Sequence, residues 1–258
     1  MIFFYSFLIF LLGACLGSFA NVCIYRLPKN KQVISGRSFC PKCKKKIKWY
    51  DNLPLISFII LNKKCRVCKK IISSRYFIVE FITGISFLLI YLNFENIYTI
   101  IFLSILILVF IMIFFIDLEN FIIPDSLNFT IMGLALTKNF IPSFNTNLIH
   151  DINQSLIGGI VGYFVIWLII FLYKILKKID GMGMGDAKLM AGVGLLFGWQ
   201  SIPFVLFLSS VLGLIFVIPS LLKKQKTMRS EIPFGPFIIT ATLIYFVFGD
   251  ILYSLILV

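Results

Sequence analysis

Charge is the first thing this chain lacks. Only 14% of its 258 residues are Asp, Glu, Lys or Arg, against about 25% in a soluble domain. Hydrophobic residues make up 60%, Phe alone fills 29 positions, and the mean hydropathy is +1.00. That balance excludes a soluble globular protein. Acids are scarcer than bases, 11 Asp+Glu against 24 Lys+Arg, for a net charge of +13. Such an excess raises nucleic-acid binding, so where it sits matters more than its size. The stretch from Arg26 to Arg75 holds 15 of the basic residues and one acid, Asp51, a net +14, which leaves −1 for the remainder. Aromatic platforms for single-stranded nucleic acid are nearly missing from that stretch, Trp49 and Tyr50 being the main candidates. Attraction to anionic lipid is the simpler account of the charge, and the expected partner is membrane lipid, with no nucleic acid.

Three other absences narrow the field. No basic residue precedes the first apolar run, so that run is expected to be a retained span with its N-terminus outside, not a cleaved signal peptide. No glycine-rich turn follows a strand in the manner of nucleotide-binding folds, so the sequence locates no cofactor pocket. No internal repeat is evident, which weighs against a transporter built from inverted halves.

What is present is a series of long apolar runs. A spanning helix needs roughly 20 such residues. The runs are Ile2 to Tyr25, Phe77 to Leu92, Ile97 to Ile116, Phe121 to Leu136, Ile152 to Tyr173, Ile202 to Leu222 and Phe234 to Val258, with a shorter piece at Ala187 to Trp199. Loops rich in Lys and Arg stay in the cytoplasm. Counting eight segments puts the basic loops 26–75, 174–188 and 223–229 on one side, whereas seven would split them. The connections 93–96 and 139–151 contain no Lys or Arg. The expectation is an all-α polytopic membrane protein of about eight transmembrane helices, with both termini outside. Gly13 and Gly17 form a small-xxx-small pair in the first span, suited to close helix packing.

Four of the six cysteines form Cys40-Pro-Lys-Cys43 and Cys65-Arg-Val-Cys68. Two CxxC pairs at this spacing suit a tetrahedral structural zinc, each pair presenting two thiolates on one side. Lys42, Lys44, Lys64 and Arg66 would offset the thiolate charge. The alternative is two disulfides, which rarely persist in the cytoplasm. Zinc would replace the core that a loop of this size can hardly build alone. Cys15 and Cys23 read as small packing residues.

Acids at span ends are costly and therefore informative. Glu80, Asp117, Glu119, Asp125, Asp186 and Glu231 lie near the expected cytoplasmic ends. Asp117 follows the run 110–116, and Asp186 closes Gly181-Met-Gly-Met-Gly-Asp. If two such carboxyls converge they can share a proton, activate water and protonate a leaving amine. Gly183 and Gly185 would let a backbone approach an extended substrate and reach dihedrals closed to other residues. The plainer alternatives are an N-cap for Asp186, on a helix starting at Ala187, and a snorkelled interfacial charge for Asp117.

Together these segments resemble a known family. Gly17-Ser-Phe-Ala-Asn-Val-Cys-Ile-Tyr-Arg-Leu-Pro28, the paired CxxC motifs, Ser74 to Glu80, Asp117 to Asp125, Gly181 to Leu189, Gly194 to Trp199 and Ile232-Pro-Phe-Gly-Pro-Phe237 look like the type IV prepilin peptidases. Those are bifunctional leader peptidases and N-methyltransferases of the GxGD membrane aspartic protease type. The resemblance implies that Asp117 and Asp186 are catalytic, supported by the Gly183 and Gly185 loop. It implies cleavage of type IV prepilins or pseudopilins after a glycine at the cytoplasmic face of the inner membrane, then S-adenosylmethionine-dependent methylation of the new N-terminal residue, commonly Phe. Arg75, Tyr76 and Glu80 are the methylation-associated candidates, although Glu80 could instead pair with Arg75. The family's usual Arg-Tyr-Pro stands here as Arg75-Tyr76-Phe77, which puts methylation in doubt and leaves a peptidase without it as an alternative. The cysteine module argues for retention. The expected organisation is a first helix at 1–25, a basic zinc module associated with methyl transfer at 26–76, and a peptidase domain at 77–258. A transporter and a zinc-bearing scaffold are the readings from other classes. Oligomeric state is not legible.

Overall fold

In a computed structural model of the chain, residues 2–33, 38–140, 152–178, 182–222 and 232–256 are described. Among the described residues there are nine α-helices and no strand. This follows from the apolar runs, because in lipid every backbone N–H and C=O must be satisfied within its own segment. The helices are α1 (Ile2–Arg26), α2 (Ile56–Ile60), α3 (Arg75–Asn93), α4 (Ile97–Asn120), α5 (Asp125–Thr137), α6 (Ile152–Lys177), α7 (Met184–Phe197), α8 (Ser201–Leu222) and α9 (Gly235–Ile256). All but the short α2 correspond in order to the eight apolar segments of the sequence.

Five of them, α1, α3, α4, α6 and α8, are long and apolar enough to cross a membrane. Of the other two internal segments, the first is shorter than the expected run 121–136, and the second is as short as its apolar piece suggested. With 13 and 14 residues, α5 and α7 measure about 20 Å, short of a hydrocarbon core of about 30 Å. Punctuation is responsible. Pro124 and Gly183 occupy the two N-cap positions, and Gly198, at φ 79, ends α7.

The chain divides into two compact units, Met1–Met112 and Ile113–Val258. In the first, α1 packs along α3 over a seam of small residues. A Cβ on Gly13 would lie 2.9 Å from Gly84 Cα, and one on Gly17 would lie 2.8 Å from Glu80 Cα. The packing expectation for this glycine pair is met. Between these helices runs the cysteine module, described below. In the second unit α6 packs on α7 just as closely, with Gly158 against the Gly194 backbone, a contact that sequence inspection did not single out. Helix α5 lies on α7, and α8 on α9.

Lys138, just beyond α5, is buried. Its Nζ donates to Leu195 O at 2.7 Å and also to Leu196 O. Both carbonyls belong to the last turn of α7, where no intrahelical donor reaches them, and a cation there opposes the negative helix end. Lys138→Met would keep the volume and orphan two carbonyls. We expect it to lower stability by about 1–3 kcal/mol, read as a reduced Tm of the detergent-solubilised protein; an unchanged Tm would show that the lysine does not hold α7.

Candidate functional site

Asp117 lies inside the final turn of α4, one turn further into regular structure than the apolar pattern suggested. It is 4% exposed, so the snorkelled-charge alternative does not hold. Its partner is the start of α9. The Gly235 N–H donates to Asp117 Oδ2 at 2.9 Å. This is one of the orphan donors every helix N-terminus presents, and an anion is favoured there. Pro236 follows with no N–H to offer. A Cβ on Gly235 would sit 2.9 Å from Asp117 Oδ2 and 3.0 Å from Ile123 Cδ1.

Asp186 is the third residue of α7. The helix starts at Met184 with Gly183 at its N-cap, which corrects the alternative of Asp186 as cap of a helix starting at Ala187. From the third position a carboxylate can reach back to the cap N–H, and the Gly183 N–H is its hydrogen-bond donor here. Asp186 is 8% exposed, and its Oδ1 has no hydrogen-bond partner among the described residues. The Asp117 charge bears on Asp186. Both carboxyls therefore lie buried at helix N-termini within one unit, close enough to act on each other electrostatically.

Ile123 links the two sites. Its side chain lies 3.0 Å from where a Cβ on Gly185 would be and equally near that of Gly235. The glycines do not take the unusual dihedrals expected of them. Gly183 adopts φ −79, ψ 147, open to any residue, and Gly185 is helical; what Gly185 supplies is space beside Ile123. Asn128, buried on α5, donates from Nδ2 to Gly185 O at 3.2 Å and braces the same turn. Its polarity inside an apolar helix was the available signal for it. Asp125 stays outside this group, paired with Lys188 at 2.7 Å on the surface, and Glu119 is exposed. Gly181, Glu231 and nearly all of the 139–151 connection fall outside the described residues. Beside the Gly183 loop lies a cavity of about 490 Å³ lined by Trp167, Ile170, Phe171 and Lys174 of α6 and by Met182 to Met184.

We expect Gly235→Ala to lower turnover about 10–100-fold while leaving the fold intact, since displacing a positioned group by about 1 Å suffices for that. Activity at the wild-type level, with unchanged Tm, would remove Gly235 from the site.

In the first unit the four module cysteines converge, all Sγ atoms lying within 4.8 Å of one another and Cys40 Sγ 4.0 Å from Cys68 Sγ. Zn–S bonds of about 2.3 Å at tetrahedral angles separate sulfurs by roughly 3.8 Å, so the cluster can hold zinc. All six cysteines are free thiols, which sets aside the disulfide alternative. The two knuckles share one backbone pattern. Lys44 N–H donates to Cys40 O and Cys40 N–H to Lys45 O; Lys69 N–H donates to Cys65 O and Cys65 N–H to Lys70 O. Lys44 and Lys69 both take φ 57. Backbone N–H groups of Cys68 and Val67 aimed at the Cys65 sulfur bring its thiol down to about 7.

Glu80, buried in α3, accepts the Leu55 N–H at 2.8 Å and a bond from Ser18. Arg75 lies over the Tyr76 ring at 4.8 Å. Asn21 of α1 donates to Tyr76 O at 3.0 Å, and its Oδ1 is buried with no partner among the described residues. Neither Asn21 nor Ser18 was separated from its motif by sequence inspection. Phe77, standing where proline was expected, stacks on Phe58 at 5.3 Å and on Phe81 at 5.9 Å.

Two family models match the chain, the bacterial peptidase A24 N-terminal domain over residues 11–94 and the type IV leader peptidase family over residues 100–218. Among relatives, a prepilin leader peptidase/N-methyltransferase of Aeromonas salmonicida is 31% identical, the match covering 95% of this chain and 91% of the relative. Proteins of the same name from Vibrio cholerae, at 34% over 94% and 96%, and Pseudomonas aeruginosa, at 30% over 93% and 89%, are similar to it as well. No solved structure matches. The similarity thus runs through both units and both candidate sites, and the chain belongs to the type IV leader peptidase family.

Proposed function

We propose that this protein removes the leader peptide of type IV prepilins or prepilin-like proteins and methylates the new N-terminus, with Asp117 and Asp186 as an aspartic catalytic pair. The observation that carries the peptidase chemistry is the burial of two mutually interacting carboxyls within one unit, one of them with an uncommitted oxygen. Like charges in a poorly solvated site favour one shared proton. The ionised member takes a proton from water as its oxygen adds to the scissile carbonyl. The protonated member then gives its proton to the leaving amine as the C–N bond breaks. Gly235 N–H holds the Asp117 oxygen throughout, and Asn128 steadies the turn that carries Asp186.

Water must reach the scissile bond, so the site belongs at a membrane face. The basic loops argue for the cytoplasmic one, with both termini outside. A transporter relay would instead want carboxylates near mid-span, and Asp117 is three residues from the end of its helix.

Methyl transfer is assigned to the first unit. S-adenosylmethionine, when bound, supplies an electrophilic methyl group. Glu80 and the unsatisfied Asn21 Oδ1 are acceptors suited to its cationic sulfonium and ammonium groups. Tyr76, whose carbonyl accepts from Asn21, carries Arg75 over its ring. Zinc on Cys40, Cys43, Cys65 and Cys68 would serve as a structural clamp on the two knuckles. Phe77 does not undo this arrangement, since its ring packs the module's helix where a proline would only have set the entry to α3.

Co-expression with a prepilin tests the whole: leader removal is read on a gel, and the mature N-terminus by mass spectrometry. A trimmed but unmethylated product would leave a peptidase only. An untrimmed product would remove the central claim.

A further inference from the structure

Helix α2 is built the wrong way round for a helix facing water. At 3.6 residues per turn, Ile56, Ile59 and Ile60 share one side and Phe58 takes the other. Phe58 is buried, stacked on Phe77 of α3. The three isoleucines point away from the protein, 49%, 64% and 68% exposed. A helix apolar on two opposite faces, with only Ser57 between them, belongs in a core or in lipid, and among the described residues no core covers the isoleucine face.

Its depth follows from its attachments. The Leu55 N–H, directly before α2, donates to Glu80, the sixth residue of a helix long and apolar enough to span the membrane. Glu80 lies about 7–8 Å along α3 from its start, within the 5–10 Å to which interfacial helices sink. Phe77 reaches α2 through Phe58 and stacks in turn on Phe81, one helical turn further along α3, and Ile78, Phe81 and Ile82 around them are exposed on the span itself. The outward face of α2 is therefore continuous in level with the lipid-facing surface of α3. Immediately after it come exposed Lys63 and Lys64, part of the +14 segment. That charge suits an anionic leaflet, since basic residues at the surface are attracted to its headgroups.

We propose that α2 is a monotopic membrane anchor: Ile56, Ile59 and Ile60 enter an anionic lipid leaflet while the lysines behind them meet its phosphates, seating the cysteine module on the bilayer. The anchor depends on α3 spanning the membrane and not on the catalytic assignment, so a failed cleavage assay leaves it standing.

The test uses the full chain in nanodiscs containing phosphatidylglycerol, with and without brominated acyl chains. Ile60→Trp adds one indole to Trp49, Trp167 and Trp199, and subtracting the parent spectrum isolates its emission. The added emission is expected to be blue-shifted and to fall about two-fold or more with brominated lipid, as for an indole below the headgroups. Ile56→Trp, on the same face, serves if Ile60→Trp does not fold. Emission that is red-shifted, quenched by iodide and indifferent to bromine overturns the proposal. So does emission shielded from both quenchers, which would mean that protein covers the face.

Discussion

Asp117→Asn and Asp186→Asn are each expected to lower leader cleavage by about 10²–10⁴-fold, the range of a lost general acid or base. Asparagine keeps the shape of the side chain. At position 117 its amide oxygen can still accept the Gly235 N–H, so α4 and the start of α9 keep their connection. What disappears is the exchangeable proton. At position 186 the uncommitted Oδ1 is the natural oxygen for water, and an amide there can neither take nor return a proton. Because the two carboxyls act as a unit, the double variant should cost little more than either single one. Methylation of a pre-cleaved pilin peptide should be untouched in all three, since that chemistry is assigned to the other unit. Wild-type cleavage by either single variant would sink the catalytic pair.

Removing zinc ligands is expected to have the second large effect, on the first unit alone. Purified wild-type protein should carry about one zinc per chain, and Cys40→Ser or Cys68→Ser should bring that close to zero. In such small modules metal-binding free energy, about 10–16 kcal/mol, is folding free energy. The knuckles should therefore unfold, exposing their backbone amides to rapid hydrogen exchange. The Leu55 N–H that Glu80 accepts belongs to the stretch between the two knuckles, so loss of the module should also release Glu80. Methyl transfer is expected to fall with the metal while leader cleavage persists. Full methylation by the zinc-free variant would separate the cysteine cluster from that activity.

The two candidate sites differed in how far they could be read in advance. The cysteine cluster was legible because its information is local: CxxC spacing makes a knuckle whatever surrounds it, and two knuckles with one metal preference need only a loop to bring them together. Even the repeated hydrogen-bond pattern at Cys40 and Cys65 follows from short-range geometry. The aspartates were nameable as costly charges at span ends, but their environment was not. Gly235 is 118 positions from Asp117 and Asn128 is 57 from Gly185. Nothing in the intervening residues encodes either contact. Periodicity likewise counted eight apolar segments and gave α7 nearly its true length, but overestimated α5, because hydrophobicity runs on through 121–123 ahead of the Pro124 that caps that helix.

By itself, then, the amino-acid sequence determined the medium, the helical class, the division into a basic cysteine-bearing loop and a nearly neutral helical remainder, and the residue types able to do chemistry. These depend on composition and on spacings of a few residues. Only the tertiary structure decided that a helix N-terminus would meet Asp117, that Gly185 would provide space and not an unusual dihedral, that Lys138 would close α7, and that Phe77 would pin α2 with its isoleucines outward. Each of these depends on which backbones approach closely. Close approach is governed by glycine seams and orphaned helix ends meeting across the packed helices, at separations that sequence spacing does not measure.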